Sequence, residues 1–315
     1  MEISKTELNR LSEIARNGLD LFEKRYGKKL DKRLFNLYNN TIKNIAIDIQ
    51  NITNRYIGRD LKVSELIKIR QSIGLYENIF NNLDNLGVLT KQEIERFMIA
   101  GFEDGLLTDN YIFNSQLKYI LPIPNINQET LRYAINNVMF DRAVKDLPAS
   151  LKIDIQNVIG NNIIRGRNYR DITNSIKPLI NNNRKRAEAI ARTESGRCYS
   201  IGQTENDKAM TENGLTYKKI WKTLRDPKVR IDHLKMEGKE ADKQGLFHLP
   251  DGSVGEAPRL TGVAKQDIRC RCGYIAEITG LTDPILNAKY LEAENKYKNL
   301  DVFIKENRSI NRYYE

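Results

Sequence analysis

The chain of 315 residues holds three Cys and two His, and four of these five lie between residues 233 and 272: His233, His248, Cys270 and Cys272. Thiolates and imidazoles bind metals, attack carbonyls and carry protons, so chemistry of those kinds is expected in the last third of the chain. Two thiolates and two imidazoles suffice for one structural zinc, with Cys at ~2.3 Å and His at ~2.0 Å in a tetrahedral set. The spacing argues the other way. Cysteines that share a zinc are usually about two to four residues apart, and a Cys-x-Cys triplet in an extended strand holds its sulfurs apart unless the chain bends, as Gly273 would allow. The alternative is that Cys270 and Cys272 pack as small core residues while His233 and His248 hydrogen-bond locally. On either account the four side chains are expected within reach of one another.

A second constellation is Arg192, Glu194, Asp226, Arg230 and His233. It could serve a nuclease or a nucleotide-acting transferase, with His233 as base, Glu194 or Asp226 as its partner and the two arginines on phosphate. The alternative is an ionic lattice, with Asp226 capping a short helix that begins at Pro227 and Arg230 paired bidentately with a carboxylate. No metal-dependent nuclease signature accompanies these residues, and the expectation is a chain that is not an enzyme. Ser195 and Cys198 fall in the middle of a helix, away from the exposed turn that suits a nucleophile.

Positive charge is concentrated in the same region. The formal net charge is +10, and residues 184 to 235 hold 13 Lys or Arg against 7 Asp or Glu. Such a run is a plausible phosphate-contacting face for non-specific double-stranded DNA. Lys218, Lys219, Lys222, Arg225 and Lys228 flank Trp221, the only tryptophan. An indole among cations can stack on a base; a lone Trp on a strand otherwise packs in a core.

The elements that must position these residues are mostly helical. Residues 1 to about 145 predict nearly unbroken helix. Ser4 and Glu7 form a capping box ahead of Leu8, Leu11, Ala15, Leu19 and Phe22, and a second helix is expected from about Leu30 to Tyr56. Others are expected near Val63 and at Thr90, with a turn at Gly87 between them. Residues 121–127, LPIPNIN, predict a linker or an extended turn, because two prolines cannot donate backbone hydrogen bonds and disfavour helix just before them. Beyond Pro148 the pattern predicts a helix stopped by Gly166, a short one capped by Asp171, and a longer one from about Asn183 to Asn213 closed by Gly214. TYKKIWKTL (216–224) and IRCRCGYIAEI (268–278) alternate as strands, with a short helix in VRIDHLKM and a Gly- and Pro-rich loop over 245–267. A charged helix is expected after Pro284.

The fold class expected is a mainly α N-terminal region followed by a small α+β domain with a short antiparallel sheet. Its expected boundaries are 1–147 for a helical partner-docking region, 148–280 for the α+β domain and 281–315 for a helical tail. Hydrophobic residues are 40% and charged residues 29% of the chain, and no apolar run nears the ~20 residues that cross a bilayer, so no membrane role is expected. The start MEISKTELNR lacks a leader's apolar stretch, and three Cys suit no disulfide framework, so a reducing cytoplasm is expected.

Taken in order, RAEAIARTE (186–194), KIWKTLRDPKVRIDH (219–233), EGKEAD (237–242), Phe247 and the CRC triplet (270–272) resemble the phage Mu F-like minor head proteins, also called head morphogenesis proteins, of tailed double-stranded DNA phages. The resemblance covers roughly 150–278; the first 145 residues carry no recognised motif. It implies a virion protein inside the head near the portal, made in the host cytoplasm, with the portal protein as partner and scaffold or major capsid protein as further candidates. It also implies a role in head morphogenesis and in DNA packaging or delivery, from a phage or a provirus. Some relatives carry a toxin domain after the F-like part; only 35 residues follow residue 280 here, so the morphogenetic form is expected.

Overall fold

The computed structural model describes residues 4–56, 73–117, 121–165, 167, 169–282 and 299–308. The fold is mainly helical, with two short antiparallel sheets in the C-terminal part. Its order is α1 (Lys5–Tyr56), α2 (Ile73–Leu117), α3 (Gln128–Ile135), α4 (Val138–Ile164), α5 (Tyr169–Glu212), β1 (Leu215–Thr223), α6 (Ile231–Leu234), β2 (Phe247–His248), β3 (Val254–Gly255), α7 (Ala264–Asp267), β4 (Cys272–Leu281) and α8 (Leu300–Asn307).

Several expected breaks are bridged. The two helices expected before residue 56 are one, α1, because its apolar stripe continues from Leu19 and Phe22 to Leu30, Leu34 and Tyr38, all buried. The Ser4 cap holds, its Oγ accepting from the Glu7 N–H at 3.2 Å. Gly87 makes no turn and Thr90 caps nothing: α2 runs through both, Thr90 is buried, and a Cβ at Gly87 would stand 2.9 Å from the Pro148 ring. Pro148 and Pro178 lie inside α4 and α5, so Asp171 opens one long helix rather than a short one. Tertiary burial outweighs local propensity at each of these points. The linker expected at 121–127 lies outside any helix or strand, and Gly214 closes α5 with φ +82°. The helix start near Val63, the stop at Gly166 and most of the tail after Pro284 lie outside the described residues.

The chain divides into two compact units that are discontinuous in sequence. One comprises Met1–Gly27, Glu95–Asn136 and Ala191–Glu315; the other comprises Lys28–Ile94 and Asn137–Ile190. The boundary drawn between 147 and 148 falls within α4. The second unit is helical among its described residues, with a core that includes Leu34, Tyr38, Ile79, Leu83, Phe140, Leu151, Ile155 and Ile176. The first unit holds the four strands found among the described residues. There β1 pairs antiparallel with β4, setting Trp221 opposite Tyr274 and Thr223 opposite Cys272, and β2 pairs with β3.

In this first unit α2 and α5 meet backbone to backbone. A Cβ on Gly105 would lie 1.9 Å from the Tyr199 carbonyl oxygen, and one on Gly202 would lie 2.0 Å from that of Phe102. Around the crossing runs a buried polar chain. Tyr274 donates to Asp207 at 2.7 Å, Asn206 to Asp109 at 2.7 Å, Asn110 to Asn206 at 3.2 Å, Asn114 to Asn110 at 2.9 Å and the Leu121 N–H to Asn114 at 2.6 Å. Burial, reinforced by the neighbouring charge of Asp207, holds Asp109 well above the usual carboxylate range, and burial pushes Asp207 up to about 7. Two carboxyls so placed do not both ionise, so one proton between them satisfies both.

Two outcomes follow from this packing. Gly105→Ala gains the ~1 kcal/mol of better helix propensity but drives a methyl into a backbone oxygen, so a net loss of about 1–3 kcal/mol is expected by urea denaturation. Because the folded Asp109 and Asp207 bind protons that the unfolded chain has released, stability is fully present below about pH 4 and falls as pH rises toward about 7 and beyond, by up to ~1.4 kcal/mol per pH unit for each proton. Asp109→Asn should flatten that slope in unfolding curves measured across the same range.

Candidate functional site

The site lies where the connection between β1 and β4, residues 224–271, leaves the sheet and returns to it. Strand β1 contributes Trp221, the single turn α6 contributes His233, α7 contributes Gln266, and the approach to β4 contributes Cys270 and Cys272. The pairing of Thr223 with Cys272 fixes where the strands end. Arg269, with φ +53°, bends the chain just before Cys270, and its N–H donates to Thr193 Oγ1 at 3.2 Å. Arg269 thus turns the chain as it enters the cluster, and Cys270 precedes the strand rather than lying on it, so the two cysteines are not successive same-face positions of one strand.

His233, Cys270 and Cys272 come together. Cys270 Sγ is 3.5 Å and Cys272 Sγ 3.4 Å from the same atom, His233 Nδ1. All three residues are buried, and their ligand atoms lie within 4.8 Å of one another. On the far side of the ring His233 Nε2 meets Gln266 Oε1 at 2.8 Å, while Gln266 Nε2 donates to Asp251 Oδ2 at 2.5 Å. Because the amide N–H is committed to a carboxylate, Oε1 must accept from Nε2–H, and this leaves Nδ1 facing the sulfurs.

Electrostatics polarise the cluster. Burial opposes charge on Cys270, yet contacts from Cys272 and His233 and the Arg259 guanidinium outweigh it and bring this thiol well below its usual value. Cys272 is raised well above its usual value, by burial first and then by donating to Cys270. Burial also works against charge on His233, but the Cys270 sulfur and the Gln266 acceptor raise it overall. Arg259, buried and with φ +72°, donates to the Cys270 carbonyl at 3.0 Å and to the Gly196 carbonyl at 3.2 Å, which ties the loop to α5. Around the cluster pack Trp221, Phe247, Met236, Leu249 and Tyr274.

Other expectations are corrected. His248 does not join the cluster: its side chain is exposed on β2 and its Nε2 pairs with Asp242 at 2.6 Å, because the strand alternation that buries Phe247 turns His248 outward. Gln266 takes the place beside His233 that His248 was expected to fill. Arg192, Glu194, Asp226 and Arg230 do not converge on His233 either. Glu194 pairs with Arg197 at 2.8 Å, Arg192 with Glu23 at 3.6 Å, and Asp226 with Arg271 at 2.6 Å. Arg230 donates to the backbone carbonyls of Gln266 and Ile268 and not to a carboxylate. Asp226 caps no helix; its Oδ1 accepts from the Lys228 N–H in a turn, and Arg230 is the residue that precedes α6. Ser195 and Cys198 are buried within α5, and burial pushes the Cys198 thiol up to about 12.

The cations of β1 are largely committed. Lys222 is buried; Lys218 pairs with Glu240 at 2.7 Å and Glu277 at 3.5 Å; Lys219 donates to the Glu256 carbonyl and lies over the Tyr274 ring. Trp221 is fully buried, edge-on to His233 and Phe247, so it packs and does not stack on bases. Arg225 and Lys228 are exposed, with Arg225 paired to Glu237 at 3.1 Å. Glu237 was not foreseen: its carboxylate accepts from the Thr223 N–H and hydroxyl, from Arg16 and from Arg225, and joins the end of β1 to α1.

A mainly helical chain whose small sheet ends in a buried Cys–His–Cys cluster defines the class structurally. Residues 153–275, which contain the whole cluster, match the sequence model of the family described as phage Mu protein F like protein. Over 291 residues the chain is 24% identical to the NAD(+)–arginine ADP-ribosyltransferase EFV of Enterococcus faecalis, covering 90% of this chain and 58% of that protein. Over 271 residues it is 20% identical to the minor head protein GP7 of Bacillus phage SPP1, covering 84% of this chain and 88% of that one. No solved structure matches the chain.

Gln266→Leu removes the acceptor of a buried imidazole N–H, and a loss of ~1–3 kcal/mol is expected in chemical denaturation. His248→Ala, outside the cluster, should unfold as the unaltered chain does.

Proposed function

We infer that this chain is a minor head protein of a tailed double-stranded DNA phage or provirus, built into the head at the portal vertex and acting in morphogenesis and in DNA packaging or delivery. The observation that carries this reading is the alignment with a minor head protein over 88% of that relative's length, coincident with the Mu F-like domain. The portal protein is the principal partner, with scaffold or major capsid protein as further ones. The chain is a component of the virion, within the head, after a period in the host cytoplasm. No helix among the described residues is long and apolar enough to cross a membrane, in keeping with such a place.

The chemistry of the domain supports assembly over turnover. His233 is buried against two thiols and an amide, and the acids considered as its partners are each held elsewhere by arginine. The ADP-ribosyltransferase named among the relatives is longer than this chain, and its activity is not carried over to it. Duplex DNA is the second partner, met without sequence preference. Arg225 and Lys228 are the exposed cations of the β1 end and are assigned to phosphate.

The test uses the full chain. Co-expressed with the portal protein from its own genome, it should remain bound through affinity purification and gel filtration, and it should be detected in mature heads. Particles assembled without it should show defects in DNA content or in infectivity. Incubated with labelled NAD(+) and arginine-containing acceptors, the purified chain should transfer no label. Failure to bind portal together with normal, infectious particles in its absence would overturn the reading.

A further inference from the structure

The arrangement around His233 asks more of one nitrogen than hydrogen bonding supplies. Nδ1 offers either one lone pair or one hydrogen, yet two sulfurs stand at nearly equal distances from it, 3.5 and 3.4 Å. If protons alone hold the cluster, one sulfur makes its contact without a proton directed along it. A single ion satisfies both. Ligands at ~2.3 Å and ~2.0 Å on tetrahedral axes lie about 3.5 Å apart, which is the spacing found here.

The surroundings point the same way. Asp251 fixes the Gln266 amide, and Gln266 fixes the imidazole with Nε2–H outward, so the lone pair of Nδ1 faces the two sulfurs as a metal ligand's must. The Trp221 indole N–H is buried with no hydrogen-bond partner and lies beside the Cys272 sulfur. A metal-bound thiolate there would give that donor an acceptor. Arg259 holds the carbonyl of Cys270, so the first thiol is positioned by its own backbone as well as by its neighbours.

We propose that His233 Nδ1, Cys270 Sγ and Cys272 Sγ bind one zinc ion, with the fourth position taken by a solvent molecule. Two thiolates and an imidazole select zinc over the oxygen-seeking magnesium and calcium. No further Cys, His, Asp or Glu joins the group among the described residues, and His248 is excluded because it is exposed and bound to Asp242. The ion ties α6 to the start of β4 and closes the 224–271 connection at its root. On binding, each thiol gives up its proton to solvent and both sulfurs become anionic ligands of the dication.

The full chain is purified under reducing conditions without chelator and its metals are measured by mass spectrometry, and the metal-free chain is then reconstituted with cobalt(II). About one zinc per chain is expected, and the cobalt form should show intense near-ultraviolet thiolate-to-metal absorption with the visible bands of a tetrahedral site. A double variant, Cys270→Ser with Cys272→Ser, should lose the zinc and the thiolate band, whereas Cys198→Ser and His248→Ala should keep both. Absence of zinc from the unaltered chain after zinc reconstitution, with no thiolate band on cobalt addition, overturns the proposal. So does zinc retained in full by the double variant. If that variant does not fold, the cobalt spectrum of the unaltered chain decides alone.

Discussion

Two sulfurs facing one imidazole nitrogen hold together pieces of chain that no backbone ladder joins. Strands β1 and β4 are linked by their own hydrogen bonds, but α6, α7 and the loop around Arg259 carry little regular structure and bury few apolar side chains apart from those packed round Trp221. Their positions depend on a short series of side-chain contacts: Asp251 to Gln266, Gln266 to His233, His233 to Cys270 and Cys272, and Arg259 to the Cys270 carbonyl. Each contact is buried or backed by a carboxylate or a guanidinium, so each is stronger than it would be in water. Removing any one leaves a buried polar group without its partner, at a cost of ~1–3 kcal/mol.

The platform beneath it solves a different problem. Helices α2 and α5 approach so closely at Gly105 and Gly202 that backbone touches backbone, and the space left at their flanks is filled by Asn, Asp and Tyr in place of aliphatic chains. Such a core is costly unless its polar groups find partners, and the run from Tyr274 through Asn206 and Asn110 to the Leu121 N–H supplies them along one flank. It also reaches from β4 to the proline-containing linker, and so sets the end of the sheet against α2 and α5 by directional bonds as well as by packing.

Much of this was legible in the sequence, for identifiable reasons. The apolar periodicity of α1 and α5, the alternation in β1, the prolines at 122 and 124 and the glycine at 214 report local constraints that survive folding. The clustering of His233, Cys270 and Cys272 was visible because those residue types are scarce. What escaped is what depends on contacts distant in sequence. Gly87, Thr90 and Pro148 read as boundaries because their local preferences do disfavour helix; burial against other segments overrides them. His248 looked like a ligand because spacing cannot tell which way a two-residue strand turns its side chains. Gln266 and Arg259 left no signal, since one Gln or Arg in a polar loop resembles any other until the chain returns to where it began, and Glu237 showed only as the first residue of EGKEAD, without its part in joining β1 to α1.

The connection from 224 to 271 leaves and re-enters the sheet at adjacent points, with its root fastened by Glu237, Arg230, Arg259 and the cysteines. In a loop closed at its base, the entropy of closure grows only with the logarithm of length, so doubling the span costs about 0.6 kcal/mol. The turns at Gly252 and Gly262, whose positive φ suits glycine and around which no neighbour lies within 4 Å, are therefore the points at which the loop has room to change length. The root residues have no such freedom. A domain built this way can vary the outline it presents to neighbouring molecules while keeping one fixed clasp beneath it.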